Sequence, residues 1–163
     1  VFLCLGTTFR RSLFAARSAI PASYETVDLG LSVLVIDACA ASGERPRIVL
    51  LSAAGADPRA RSRYFRARGR LEEHLRSSGL EYAIARPGYV TGPGRDDFRP
   101  LERAGAVVTD GVLLWLAVLG MQMLRERYRS IGAPELAKAL VSHAFDPRSA
   151  GRILPGERLR DFP

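Results

Sequence analysis

The 163-residue chain is poor in cysteine, histidine and lysine, and it lacks a long apolar run; each shortage removes a class of protein. Two cysteines, Cys4 and Cys39, cannot build the disulfide framework of a small secreted scaffold, so a reducing compartment fits and a cytoplasmic location is expected. The two histidines, His74 and His143, have no cysteine or carboxylate partners at ligand spacing, so no metal site is expected. The most apolar stretch, 104–124, is broken by Thr109, Asp110 and Gln122 and falls short of the roughly 20 residues that span a bilayer. A helix over 112–124, carrying Trp115, Leu116, Leu119 and Met123, is instead expected to pack on the domain, on a second copy of it, or on a protein partner. The opening Val1-Phe2-Leu3-Cys4-Leu5 is shorter than the roughly 7 to 15 residues of a signal-peptide core and reads as the middle of a longer sequence.

What is present suits one globular domain over 1–163. Hydrophobic residues are 47% and charged residues 25%, and a chain of this length buries roughly 70% of its unfolded surface. Disordered, collagenous and coiled-coil classes are excluded. The net charge of +7 would suit an anionic partner. The basic side chains, however, are arginine everywhere except Lys138, which points to compositional drift. Arg59, Arg61, Arg63, Arg66, Arg70 and Arg76 crowd one segment, yet Glu72-Glu73 interrupt them and only Tyr64 and Phe65 are interleaved. That is a solvated helix face rather than a nucleic-acid surface.

Three short apolar runs, Val1 to Leu5, Ile48 to Leu51 and Leu80 to Ala85, read as strands covered on both faces, because none alternates with polar residues. Helical patterns lie between them. The first, about Ser23 to Ser42, places Val27, Leu31, Leu34, Val35 and Ala38 on one expected buried face and stops at Gly43. The second runs from about Ala60 to Ser78 and stops at Gly79; a later one follows Pro134 and ends at Asp146-Pro147. Strand, helix, strand, helix, strand predicts an α/β fold: a doubly wound parallel sheet in a three-layer sandwich, with the three strands as neighbours.

Ligands of such sheets bind beyond the carboxyl ends of the strands, which here are Gly6-Thr7-Thr8, Ser52-Ala53-Ala54-Gly55 and Arg86-Pro87-Gly88-Tyr89. Ordinary turn chemistry is the alternative for any one of them. On the second helix Tyr64 and Arg68 are four apart and share a face with Leu71 and Leu75. A phenol beside a permanent cation is a better proton donor and acceptor near neutral pH. An isolated pair of this kind would otherwise be a core aromatic with a snorkelling arginine.

Taken together, Leu51-Ser52-Ala53-Ala54-Gly55-Ala56-Asp57, then Tyr64-x-x-x-Arg68-Gly69-x-x-Glu72, then Arg86-Pro87-Gly88 resemble the atypical and extended short-chain dehydrogenases/reductases. Within these the chain is most similar to the Tat-interacting-protein-like oxidoreductases, whose pattern runs Ser-x-x-Gly-Ala-Asp, Tyr-x-x-x-Lys-Gly-x-x-Glu and Arg-Pro. Cys4-Leu5-Gly6-Thr7-Thr8 and Val27-Asp28 match the group's preceding segments, and the likeness extends over residues 1 to about 100. The resemblance implies a Rossmann-type NAD(P)-binding domain that moves a hydride to or from a carbonyl or alcohol substrate. It makes Tyr64 the general acid/base, lets Ser52 orient the substrate carbonyl, and puts Arg68 at the lysine position. Gly6, Thr7, Thr8, Arg86, Pro87, Gly88 and Val90 would border the dinucleotide, NADP or NAD.

Two departures bear on activity. Arginine replaces lysine at Arg68, an exchange that keeps the charge but not the shape. No G-x-x-G-x-x-G turn occurs in the 163 residues, so the pyrophosphate cradle and the first βαβ units are missing. A fragment, a misplaced gene start and a degenerate copy all fit, and dinucleotide binding by this chain alone is expected to be weak or absent. Besides an impaired oxidoreductase, a non-catalytic regulatory or protein-interaction module and a sugar-nucleotide epimerase-like isomerase stay open.

Overall fold

A computed structural model of the chain describes residues 1–6, 23–91 and 130–160. Four strands, β1 (Phe2–Leu3), β2 (Ile48–Leu51), β3 (Tyr82–Arg86) and β6 (Arg152–Pro155), form one sheet in the order β1-β2-β3-β6, and every pairing is parallel. Phe2 pairs with Val49, Ile48 with Tyr82, and Ala83 with Arg152. Two further short strands, β4 (Val90–Thr91) and β5 (Ile131–Gly132), pair parallel beside it. The fold is the expected α/β architecture with a Rossmann-like parallel sheet. The three strands anticipated as neighbours are neighbours, although β1 is shorter than Val1 to Leu5 and β3 begins later, at Tyr82.

Both sheet faces are apolar, which explains why the strands show no polar alternation. Ile48, Leu50 and Ile84 point to one face and pack with Ile36, Leu71 and Leu75 from two helices. Val49, Ala83, Ala85 and Leu154 point to the other and pack with Leu136, Ala139 and Leu140 from a third. Each fully buried Leu or Ile contributes about 1.5–3 kcal/mol, so these two layers are the main source of stability.

Local signals place the helices. Helix α1 comprises a π-wound half, Tyr24–Leu31, and an α-helical half, Ser32–Ala41. Ser23 caps it reciprocally: its hydroxyl accepts from Thr26 N at 3.1 Å, while Thr26 Oγ1 accepts from Ser23 N at 2.9 Å. Helix α2 (Arg63–Ser77) ends before Gly79, whose φ of +71° suits glycine. Helix α3 (Ala133–Phe145) has Pro134 in its first turn and stops where Pro147 follows.

The expected buried face of α1 needs correction. Leu34 is 64% exposed and Leu31 48%, and Ala38 is exposed, whereas Asp28, Ser32 and Ile36 are buried. The α-helical half is apolar around most of its circumference, so spacing alone could not choose a face; the buried charge of Asp28 chooses it. The helix expected over 112–124, the turns at Thr7-Thr8 and the Gly92-Pro93-Gly94 loop lie outside the described residues.

At the opposite end of the sheet from the strand carboxyl termini, Arg47 donates to Glu81 Oε1 at 2.7 Å and to the carbonyls of Ala144 and Asp146 at 2.9 and 3.1 Å. The hydrogen bond from Arg47 holds the Glu81 carboxyl below its ordinary value of 4.5. A depressed folded value means that the stabilisation is complete above 4.5 and disappears as pH falls through the folded value. Glu81→Gln is therefore expected to be slightly less stable than the unaltered chain at neutral pH, with the gap closing as pH falls below 4.5. Thermal melts across that range check this; a gap that widens in acid contradicts it.

Candidate functional site

The residues of interest sit along the carboxyl edge of the sheet, and α2 supplies most of them. Tyr64, Arg68 and Glu72 are spaced by four and lie on one helical face, with Leu71 and Leu75 beside them in the apolar layer. Arg68 and Glu72 are both buried, Glu72 completely.

Glu72 accepts the Ser52 hydroxyl on Oε1 at 2.5 Å. Arg86, at the end of β3, grips the same carboxylate with Nε on Oε1 at 2.9 Å and a terminal nitrogen on Oε2 at 2.6 Å. This bidentate geometry fixes the helix against two strand ends at once. The hydrogen bonds that Arg86 donates to Glu72 push its guanidinium above its ordinary range. The adjoining turns are zipped by Ser52 N to Ala85 O at 2.8 Å and Ala54 N to Pro87 O at 3.0 Å.

One turn earlier, Arg68 reaches β1, β2 and α1. It donates to Leu5 O at 2.8 Å, Leu51 O at 3.1 Å and Asp28 Oδ1 at 2.7 Å. Gly6 is close because of this contact: a Cβ there would stand 2.9 Å from the guanidinium. Burial pushes the neighbouring Cys4 thiol up, and the Arg68 charge partly offsets that shift. The guanidinium carbon lies 5.5 Å from the centroid of the Tyr64 ring. Tyr24 and Phe65 flank that ring at 5.4 and 5.3 Å. The Tyr64 hydroxyl makes no hydrogen bond among the described residues, and Arg68 Nε is buried without a partner there.

The expected residues thus fall into two groups. Ser52 and Arg86 meet through Glu72; Tyr64, Arg68 and Gly6 meet around the end of β1. No hydrogen bond or ring contact joins Ser52 to Tyr64 among the described residues. Pro87 is buried, Gly88 is half-buried and Val90 opens β4 opposite Ile131. Asp28 and Glu72 carry the electrostatics, and sequence reasoning gave neither a role. The available signal was that Glu72 is a charge one turn beyond Arg68 on the buried stripe. His74 pairs with Asp37 at 2.7 Å and His143 with Ser149 at 2.9 Å. Among the described residues no three His, Cys, Asp or Glu gather as metal ligands.

A parallel sheet covered by helices on both faces, with small residues at its carboxyl edge, is the architecture of Rossmann-like α/β proteins. A family model described as NAD(P)H-binding matches residues 1–112, and the chain belongs to that family. The chain is also 35% identical over 97 residues to Protein fmp52-1, mitochondrial, of Aspergillus oryzae (strain ATCC 42149 / RIB 40). That match covers 57% of this chain and 40% of the relative, so the chain spans about two fifths of the relative's length.

Two stability effects follow. A Cβ on Gly69 would lie 2.2 Å from the Asp57 and Pro58 backbone. Alanine improves helix propensity by up to about 1 kcal/mol, but a backbone clash costs about 1–3 kcal/mol or more, so Gly69→Ala is expected to destabilise. Glu72→Ala, which strips Arg86 of its carboxylate, is expected to cost about 3 kcal/mol, at the low end for a broken buried pair because Arg86 retains some exposure. The double change Glu72→Met with Arg86→Met should recover most of that loss. Denaturant unfolding measures all three.

Proposed function

We propose that the chain contributes the proton-transfer and nicotinamide-facing side of an NAD(P)H-dependent oxidoreductase of the atypical short-chain type, acting on a carbonyl or alcohol. The observation that carries this reading is Tyr64: its hydroxyl makes no hydrogen bond among the described residues, its ring is held between Tyr24, Phe65 and the Arg68 guanidinium, and it stands at the carboxyl edge of a sheet of the NAD(P)H-binding family. Bound there, the dinucleotide supplies or accepts the hydride.

The chain's own groups do the rest. The Tyr64 hydroxyl gives a proton to the substrate oxygen in reduction and takes it back in oxidation. Arg68, whose Nε is buried without a hydrogen-bond partner among the described residues, supplies the fixed positive charge beside the Tyr64 ring. The small residues Gly6 and Gly88 allow close approach of the dinucleotide. Ser52 behaves differently from the expectation of a carbonyl donor, since its proton goes to Glu72. Its oxygen is left to accept a hydrogen bond from an alcohol. The free cysteines Cys4 and Cys39 suit work in a reducing compartment such as the cytoplasm.

The competing reading, a binding module without turnover, draws on the arginine at position 68, where the oxidoreductases that the sequence resembles carry lysine. Calorimetric titration with NADPH and NADH separates the two. The chain as it stands is expected to bind weakly, and the same chain carrying a glycine-rich βαβ unit at its amino end is expected to bind at least about tenfold tighter. If the extended polypeptide binds and turns over, Tyr64→Phe should remove most of the rate, on the order of 10²-fold or more, and leave the dissociation constant unchanged. Binding without any turnover by the extended polypeptide would establish the module instead.

A further inference from the structure

Asp28 has no part in the reading above, yet it is wholly buried, and it is the carboxylate that meets Arg68. It sits in the π-wound half of α1, which turns it inward where Leu31 and Leu34 remain at the surface. Its Oδ1 holds a terminal nitrogen of Arg68 at 2.7 Å, while the carbonyls of Leu5, just beyond β1, and Leu51, at the end of β2, accept from the two terminal nitrogens. The guanidinium is therefore pinned on three sides at 5.5 Å from the Tyr64 ring. A charge so placed, in surroundings so dry, would pull a neighbouring phenol toward its anion if it stood alone.

We propose that Asp28 is a positioning residue for Tyr64: it fixes the Arg68 guanidinium and balances its charge, so that the tyrosine faces a neutral pair rather than a bare cation. The other ionisable groups around Tyr64 agree with this assignment. Tyr24 meets the ring from α1, Cys4 stands by Arg68 at the end of β1, and Glu25 of α1 is occupied with Arg70 of α2 at the surface. Glu72 on α2 is engaged by Arg86 and Ser52. The consequence is that the charge nearest the Tyr64 ring belongs to a pair, Asp28 with Arg68, rather than to Arg68 alone. The functional meaning rests on the reading of Tyr64 as the proton-transfer group; the electrostatic claim does not.

Tyrosinate absorbance titration of the purified chain tests it without cofactor or substrate, with the Tyr64→Phe version of each variant subtracted to isolate Tyr64 among the five tyrosines. Asp28→Asn, which keeps the shape and removes the charge, is expected to lower the Tyr64 midpoint by about one pH unit. Asp28→Leu combined with Arg68→Met replaces the whole pair by apolar groups of similar size, a change that buried pairs commonly tolerate. That variant is expected to keep the Tyr64 midpoint within about 0.3 unit of the unaltered chain. An unchanged midpoint in folded Asp28→Asn overturns the proposal, as does a rise of about one unit in the double variant, which would mean that Arg68 acts as an unbalanced cation. Should Asp28→Asn not fold, Arg68→Met alone takes its place: it leaves Asp28 unbalanced and is expected to raise the Tyr64 midpoint, and an unchanged midpoint overturns the proposal. Failure of dinucleotide binding would sink the oxidoreductase reading and leave these midpoints, and the claim they test, untouched.

Discussion

Arg68 and Glu72 project from one face of α2 toward the carboxyl edge of the sheet, and between them they reach β1, β2, β3 and α1. Ends of strands present carbonyls with no ladder partner, and those carbonyls need donors if they are buried. Arg68 supplies donors to two of them, at Leu5 and Leu51. Glu72 brings in Arg86 and Ser52, so that the third strand end is held by side chains as well as by backbone. The glycine between the two charges, Gly69, lets the helix approach the Asp57-Pro58 turn closely enough for this geometry to form. Helix position, turn conformation and strand alignment are thus one linked arrangement.

Buried ion pairs of this kind are weak sources of net stability, because desolvation offsets much of the attraction. The apolar layers on the two sheet faces supply the stability. What the pairs add is choice among packings. Helix α1 shows this, since Leu31, Leu34, Val35 and Ile36 could each face the core with similar gain. Asp28 cannot be buried without a cation, and Arg68 is the cation at hand. The requirement rotates the helix until Asp28, Ser32 and Ile36 line the interface and leaves Leu31 and Leu34 exposed. The π-winding over Tyr24–Leu31 accompanies that rotation. Such winding is uncommon and often accompanies functional positions.

The legible parts of the sequence were those governed by local rules. Strand positions, their parallel pairing, the stops at Gly79 and Pro147, and the inward placement of Leu71 and Leu75 follow from apolar runs and from glycine and proline chemistry. The face of α1 was illegible because an apolar helix carries little directional signal, and the deciding partner lies 40 residues away. The roles of Glu72 and Arg86 were hidden for the same reason. Arg86 looks like a ligand-facing residue after a strand, and nothing local says that its guanidinium turns back to a helix. Ser52 was placed correctly at a strand end, but the direction of its proton depends on a carboxylate that comes 20 residues later.

The arginine at position 68 can now be weighed against compositional drift. In a chain whose basic residues are arginine at every position but one, an arginine in place of lysine needs no explanation by selection. The geometry nevertheless uses what lysine lacks. An ammonium is a compact point charge at the tip of its stem, whereas a guanidinium is a planar fork with donors facing in several directions. Here two of its nitrogens serve three acceptors on three different elements, and Nε remains as a further donor. A lysine would have to bring Asp28 and both carbonyls to a single nitrogen, whereas the guanidinium divides them between two, in a place where Arg68 is 5% exposed. The buried carbonyls and Asp28 make use of the arginine that stands there, and they tie the charge nearest Tyr64 to the packing of the whole sheet edge.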